Sequence, residues 1–213
     1  MEKIMKIFAA AAALSITTLS FAQNCEYSLV RGNEKGTVQW KESHNGGITT
    51  LEIIQSSQHT VQTIGADLKN TSWKVQNASL GADYTVTRSG DTYTVKGTLK
   101  GKPISRTMKS KGYPWYQCIA YCSGLLLKNG TTSVIYESIR PSNADIYTMK
   151  ITLEGDAKVG DIPVKEVKCS AAGGLAGALW SCRYWFDGKG RFIRYRGVEG
   201  GPGTPATEWT LKK

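Results

Sequence analysis

The sequence predicts a mainly β fold: a single antiparallel sheet curled into a β-roll or open barrel, with one short helix near residues 114–123. Three observations carry this expectation. Short β-prone runs recur about every ten residues. Clusters of Gly, Asn, Asp and Pro separate them. The most aromatic stretch, 180–196, alternates with a period of two on either side of a Gly-containing connection, the form of an antiparallel hairpin. In its first arm Trp180, Cys182, Tyr184 and Phe186 share one face, while Ser181, Arg183 and Trp185 share the other.

The amino terminus reads as an export signal. Lys3 and Lys6 precede an apolar run over 7–16, and the small residues Ser20 and Ala22 stand three and one positions before a cut ahead of Gln23. The apolar core is shorter than the roughly 20 residues that span a membrane. The expectation is a signal peptide at 1–22, then one β-rich domain at 23–213, periplasmic or extracellular and soluble once cleaved. No transmembrane segment is expected in the mature chain. Gln23 and Asn24 intervene before Cys25, which argues against a lipid-modified cysteine.

Strands are expected over 26–31, 36–41, 48–55, 72–78, 84–88 and 92–99, with turns such as Asn45-Gly46-Gly47 and Ser89-Gly90-Asp91 between them. Further runs lie at 132–139, 147–153, 164–169 and 207–211. The pattern breaks once. Pro114, Trp115, Cys118, Ile119 and Cys122 fall at the spacing of one helical face, and Gly124 follows as a stop. One reading makes this stripe a core cap on the sheet. The other takes Tyr113, Trp115, Tyr116 and Gln117 as a ligand platform at the mouth of a β-enclosed cavity, since aromatic faces stack on sugar rings or acyl chains.

Five cysteines survive processing: Cys25, Cys118, Cys122, Cys169 and Cys182. An oxidising compartment permits two disulfides and leaves one thiol over. Cys169 and Cys182 flank the Gly-rich connection and form the preferred pair. Cys118 and Cys122 share a helical face without meeting disulfide geometry easily. Buried free thiols are the alternative for each.

The formal charge of +10 favours anionic partners. The cations concentrate near 183–196, where Arg183, Lys189, Arg191, Arg194 and Arg196 face only Asp187. Export argues against nucleic acid.

Glu26-Tyr27-Ser28-Leu29 with Gly32 and Gly36, Gly112-Tyr113-Pro114-Trp115, Leu125-Leu126-Leu127, Trp185-Phe186-Asp187 with Gly190-Arg191, and Glu208-Trp209-Thr210-Leu211 are similar to landmarks of a bacterial exported family of unknown function. The resemblance covers nearly all of the mature chain. It implies a curled antiparallel β-roll or open barrel of lipocalin-like appearance, and it implies no reaction.

Several chemistries are argued against. The two histidines, His44 and His59, stand apart, with no His-Glu-x-x-His and no tight Cys/His spacing, so no metal is expected. There is no Gly-x-Ser-x-Gly elbow. Gly173, Gly174 and Gly177 lead into Ala178-Leu179 and make no phosphate loop. No cofactor is expected. Paired carboxylates stay open, because facing acids leave no trace in spacing: Glu137, Asp145, Asp161 and Asp187 are the conceivable members, each with a turn or surface role as the alternative.

The function expected is non-catalytic binding of an amphiphilic or anionic envelope lipid or glycan. Arg183, Arg194 and Arg196 would hold phosphate or carboxylate groups, and Trp115, Tyr116 and Trp185 would supply stacking surface. The rivals are a hydrolase or lyase on envelope polysaccharide, and a structural subunit that meets a protein partner.

Overall fold

The computed structural model describes residues 22–128, 130–173, 180–199 and 203–212. Apart from Ala22, the expected signal peptide lies outside the described residues, as does 174–179 of the Gly-rich connection. The described residues form one antiparallel sheet of fourteen strands and one short α-helix. The strands are β1 (Ala22–Arg31), β2 (Glu34–Asn45), β3 (Ile48–Ile54), β4 (Gln58–Ile64), β5 (Asn70–Asn77), β6 (Ala82–Ser89), β7 (Thr92–Leu99), β8 (Lys102–Lys109), β9 (Ser133–Ile139), β10 (Ile146–Val159), β11 (Ile162–Ala171), β12 (Ser181–Asp187), β13 (Phe192–Gly197) and β14 (Thr207–Leu211). The helix, α1, is Ile119–Lys128. Among the described residues no helix is long and apolar enough to cross a membrane.

The order across the sheet is β8-β7-β6-β5-β4-β3-β2-β1-β14-β13-β12-β11-β10-β9. It is a meander from β1 to β8 and another from β9 to β14, fused where β14 pairs with β1. Two-residue turns drive the hairpins. Gly46 and Gly47 both take positive φ, 57° and 79°, the conformation whose twist matches flanking strands.

The sheet curls around two apolar clusters. The larger gathers Tyr27, Trp40, Leu51, Ile64, Tyr136, Phe186, Phe192 and Tyr195 against Ile119 and Cys122 of α1. The smaller gathers Trp73, Val75, Tyr84, Tyr93 and Val95 of β5–β7 against Trp115, Ile139 and Ala144. Strand β9 is the partition. Its Tyr136 packs in the larger cluster and its Ile139 in the smaller.

The sheet itself is open, with edges at β8 and β9, and the extended segment 114–117 runs along β9 and reaches across to the start of β5. Pro114 O accepts from Glu137 N at 2.7 Å, and Tyr116 N donates to Glu137 O at 3.0 Å. On the other side Trp115 O accepts from Asn70 N at 2.9 Å. The Asn70 side chain completes the seam: Oδ1 accepts from Gln117 N at 2.8 Å and Nδ2 donates to Gln62 Oε1 at 3.0 Å.

That seam explains where the helix lies. The expected span of 114–123 is occupied by helix only from Ile119 onward, because 114–116 serve β9 as strand partners and are not available to a helical turn. Gly124 is inside α1, not at its end. A Cβ there would stand 2.0 Å from Gly190 O, so the residue lets α1 approach the β12–β13 connection.

One buried carboxylate ties the seam to the β7–β8 edge. Glu137 is 0 % exposed. It accepts from Tyr93 Oη at 2.7 Å, from Ser110 Oγ at 2.8 Å and from Lys111 N. Arg88 Nη1 lies 3.6 Å away and donates to Tyr93 Oη and to Tyr113 O, while Nη2 donates to Ser110 Oγ. Glu137→Ala leaves Arg88 uncompensated and three donors without an acceptor. It is expected to cost about 3–5 kcal/mol in urea unfolding, and Glu137→Gln less.

Burial also shapes the alkaline limit. It pushes Tyr121 up to about 12 and raises Tyr27, Tyr84, Tyr93 and Tyr195 further. Phenols whose folded values exceed the unfolded value of about 10 contribute stability that is fully present below it and is lost as pH rises. Hydrogen bonds from Asn143 and Arg140 lower the exposed Tyr147 instead, so a first rise in tyrosinate absorbance is expected with the sheet intact, and a second, from the buried phenols, together with loss of β-sheet circular dichroism above about pH 10.

A cationic face on the outer side of the sheet

Strands β11 to β14 position the site. In β12, Cys182 and Phe186 are buried in the larger cluster, Tyr184 packs against it, and Arg183 and Trp185 face outward. Strict alternation in β13 would put Phe192 on the same side as Arg194 and Arg196. A register shift between Trp185 and Phe186 admits an extra residue, so Phe192 turns into the core while Arg194 pairs with Trp185 and Arg196 with Arg183.

Two cross-strand rows result. In the first, Thr152, Lys168, Arg183, Arg196, Glu208 and Val30 are successive partners from β10 to β1. In the second, Glu166, Trp185, Arg194, Thr210, Ser28 and Thr37 follow one another from β11 to β2. Facing neighbours in adjacent strands are about 4.8 Å apart along each row.

Trp185 organises the second row. Its Nε1 donates to Glu166 Oε2 at 3.1 Å, and the other oxygen of that carboxylate meets Arg183 Nε at 2.6 Å. The Arg194 guanidinium lies 5.4 Å from the Trp185 ring centroid and pairs with Glu208 at 2.7 Å. Arg194 Nε is buried without a partner. Lys168 and Arg196 make no ion pair among the described residues, and Arg183, half exposed, meets Glu166 through its Nε. Three cations thus stand side by side, a placement that destabilises a sheet when opposite charges do not intervene.

The other expected ligand residues lie elsewhere. Tyr113 is exposed, whereas Trp115 is 0 % and Tyr116 5 % exposed. Gln117 is engaged by its neighbours: Oε1 accepts from Trp115 Nε1 at 3.0 Å and from Ile139 N at 2.9 Å, and Nε2 donates to Ile139 O at 2.8 Å. These residues form the seam between the two clusters. The structure brings Arg183, Trp185, Arg194 and Arg196 together and does not bring them to 113–117.

The expected Cys169–Cys182 bridge is corrected. The two are direct cross-strand partners but both are free thiols: their side chains meet in a thiol–thiol hydrogen bond, and the Cys169 sulfur also lies 3.0 Å from the Tyr136 hydroxyl. Cys118 and Cys122 are free and buried as well. Burial pushes the Cys118 thiol up to about 12, which leaves little thiolate for nucleophilic attack.

The acids are occupied one by one. Glu137 sits in the buried network described above. Asp145 pairs with Arg106 at 2.7 Å. Asp187 Oδ1 accepts from the backbone of Lys189 and Arg191, each at 2.9 Å, and so shapes the hairpin connection. Asp161 lies in the exposed two-residue turn between β10 and β11. His59 pairs with Glu52 at 2.7 Å. His44 bridges Glu42 at 2.8 Å and Thr49 at 2.9 Å, and Thr49 Oγ1 lies 3.2 Å from the Tyr121 hydroxyl, so this small relay fastens α1 to the β2–β3 hairpin.

Sequence reasoning missed Lys168, Glu166 and Glu208. They join the face from β11 and β14, and only the strand order reveals them. The like-charge row generates a test. Lys168→Glu places an acid opposite Arg183 and is expected to raise stability by about 0.5 kcal/mol in urea unfolding, a gain that shrinks as salt is added.

The fold has a solved counterpart. The crystal structure of a "Beta-barrel-like Protein of Domain of Unknown Function DUF1849" from Brucella abortus aligns over 89 % of this chain and 95 % of its own, with TM-score 0.59 and 13 % identity. At that identity the likeness shows a shared fold. A DUF1329 family protein from Desulfovibrio piger aligns over 93 % and 85 %, with TM-score 0.27 and 10 % identity. No protein-family model matches the chain, and no curated protein matches it.

Proposed function

We propose that this chain is an exported binding protein that holds an anionic component of the cell envelope on the outer face of β11–β14. The single observation behind this reading is the row Lys168-Arg183-Arg196, three cations on adjacent strands with no acid between them. Such a row is unfavourable in the empty protein and becomes favourable when an anion lies across it. Arginine forks supply bidentate donors for phosphate or carboxylate. Glu166, Trp185 and Glu208 hold Arg183 and Arg194 in place, so little side-chain freedom is lost on binding. The export assignment rests on the signal-like segment at 1–22 and belongs to the same proposal. The carboxylate-pair alternative has less support, since each acid it would use already serves a turn, a salt bridge or the buried network.

The test is a thermal-shift series with phosphatidylglycerol vesicles and polygalacturonate, each at low and high salt. Wild type is expected to be stabilised by at least one probe, with the shift declining as salt screens the face. Arg183→Ala combined with Arg196→Ala is expected to remove the shift. Equal shifts in wild type and double variant would exclude this face as the site.

A further inference from the structure

Resting on that reading, we infer that the ligand is a linear acidic glycan lying across the strands, with successive carboxylates on Lys168, Arg183 and Arg196. The first argument is spacing. The three cations repeat at the strand interval of about 4.8 Å, too long a row for one phosphate or carboxylate group, and a chain of uronate sugars carries a carboxylate on every ring for long Lys and Arg side chains to reach. Glu208 closes the row on one side and Thr152 on the other, so the site is three charges long.

The second argument is the neighbouring row. Beyond Trp185 and Arg194 it continues as Thr210, Ser28 and Thr37, a line of hydroxyl groups suited to the ring hydroxyls of a sugar chain. Ser28 Oγ reaches Thr210 O at 3.3 Å, and Lys212 Nζ donates to Thr37 Oγ1 at 3.2 Å. A lipid would need an apolar slot beside its charged head. Here Phe186, Phe192 and Tyr195 are buried on the opposite side of the sheet, and on the outer face Trp185 is taken up between Glu166 and Arg194 while Val30 lies past Glu208, away from the cations.

The experiment is isothermal titration of the full-length mature protein with oligogalacturonates of one to six sugars, and with phosphatidylglycerol vesicles in parallel. The variants are Lys168→Ala, Arg183→Ala, Arg196→Ala and, as a control from the distant outer face of β7, Lys96→Ala. Affinity is expected to climb from one sugar to three and then level. Each row variant is expected to weaken the trimer about fivefold, with Lys96→Ala unchanged. An affinity that grows steadily with length, and falls equally with Lys96→Ala, would overturn the inference in favour of diffuse attraction. Row-dependent binding of vesicles without binding of the oligomers would overturn the glycan assignment and leave the anion-binding reading standing. Row-independent behaviour toward both probes would overturn both.

Discussion

The fold depends on closing a sheet that does not close itself. Its fourteen strands leave edges at β8 and β9; the segment 114–117 lines β9 and reaches Asn70 at the start of β5, while the Glu137 carboxylate reaches Tyr93 of β7 and Ser110 just past β8. A polar seam inside an apolar body is favourable only when every donor and acceptor is met. Here the Asn70 side chain meets Gln117 N and Gln62, the Gln117 amide meets Trp115 Nε1 and the Ile139 backbone, and the Glu137 carboxylate accepts from Tyr93, Ser110 and Lys111. The same bonds that seal the roll also divide it, because Trp115 enters one cluster and Tyr116 the other.

The two apolar clusters occupy the inside of the curl, and the outer face of the sheet meets solvent. Sheets that expose one face fill it with residues that suit the strand, and threonine and serine across β14, β1 and β2 do so. The three adjacent cations do not suit it. A sheet that keeps like charges side by side gives up some stability there. The Trp185 brace strengthens this view, since it fixes two guanidinium groups without neutralising the whole row.

Much of the architecture was legible in the sequence. The hairpin around Asp187, the alternation of Cys182 and Phe186 against Arg183 and Trp185, and most strands follow from period and turn chemistry. Strand β4 was hidden because its inward residues Thr60 and Gln62 are polar, and β8 because Lys102, Pro103, Arg106 and Lys109 read as a loop while suiting an edge. The aromatic run at 113–117 looked helical because its spacing fits a helix. Only the parallel bridge from Trp115 to Glu137, a contact between distant segments, shows it to be extended. Half of the cationic face was legible for the same reason that half was not: β12 and β13 are neighbours in sequence, whereas Lys168 and Glu208 arrive by strand order.

The junction of β1 with β14 joins residues 22–31 to 207–211, almost the full length of the polypeptide. Each meander can nucleate from its own tight turns, but the two cannot merge until Thr207–Leu211 has slotted between β1 and β13. Folding of this kind waits on its most distant contact and is slow. Until that contact forms, the amino-terminal half keeps an uncovered β1 flank, and that interval is when a chaperone would matter most.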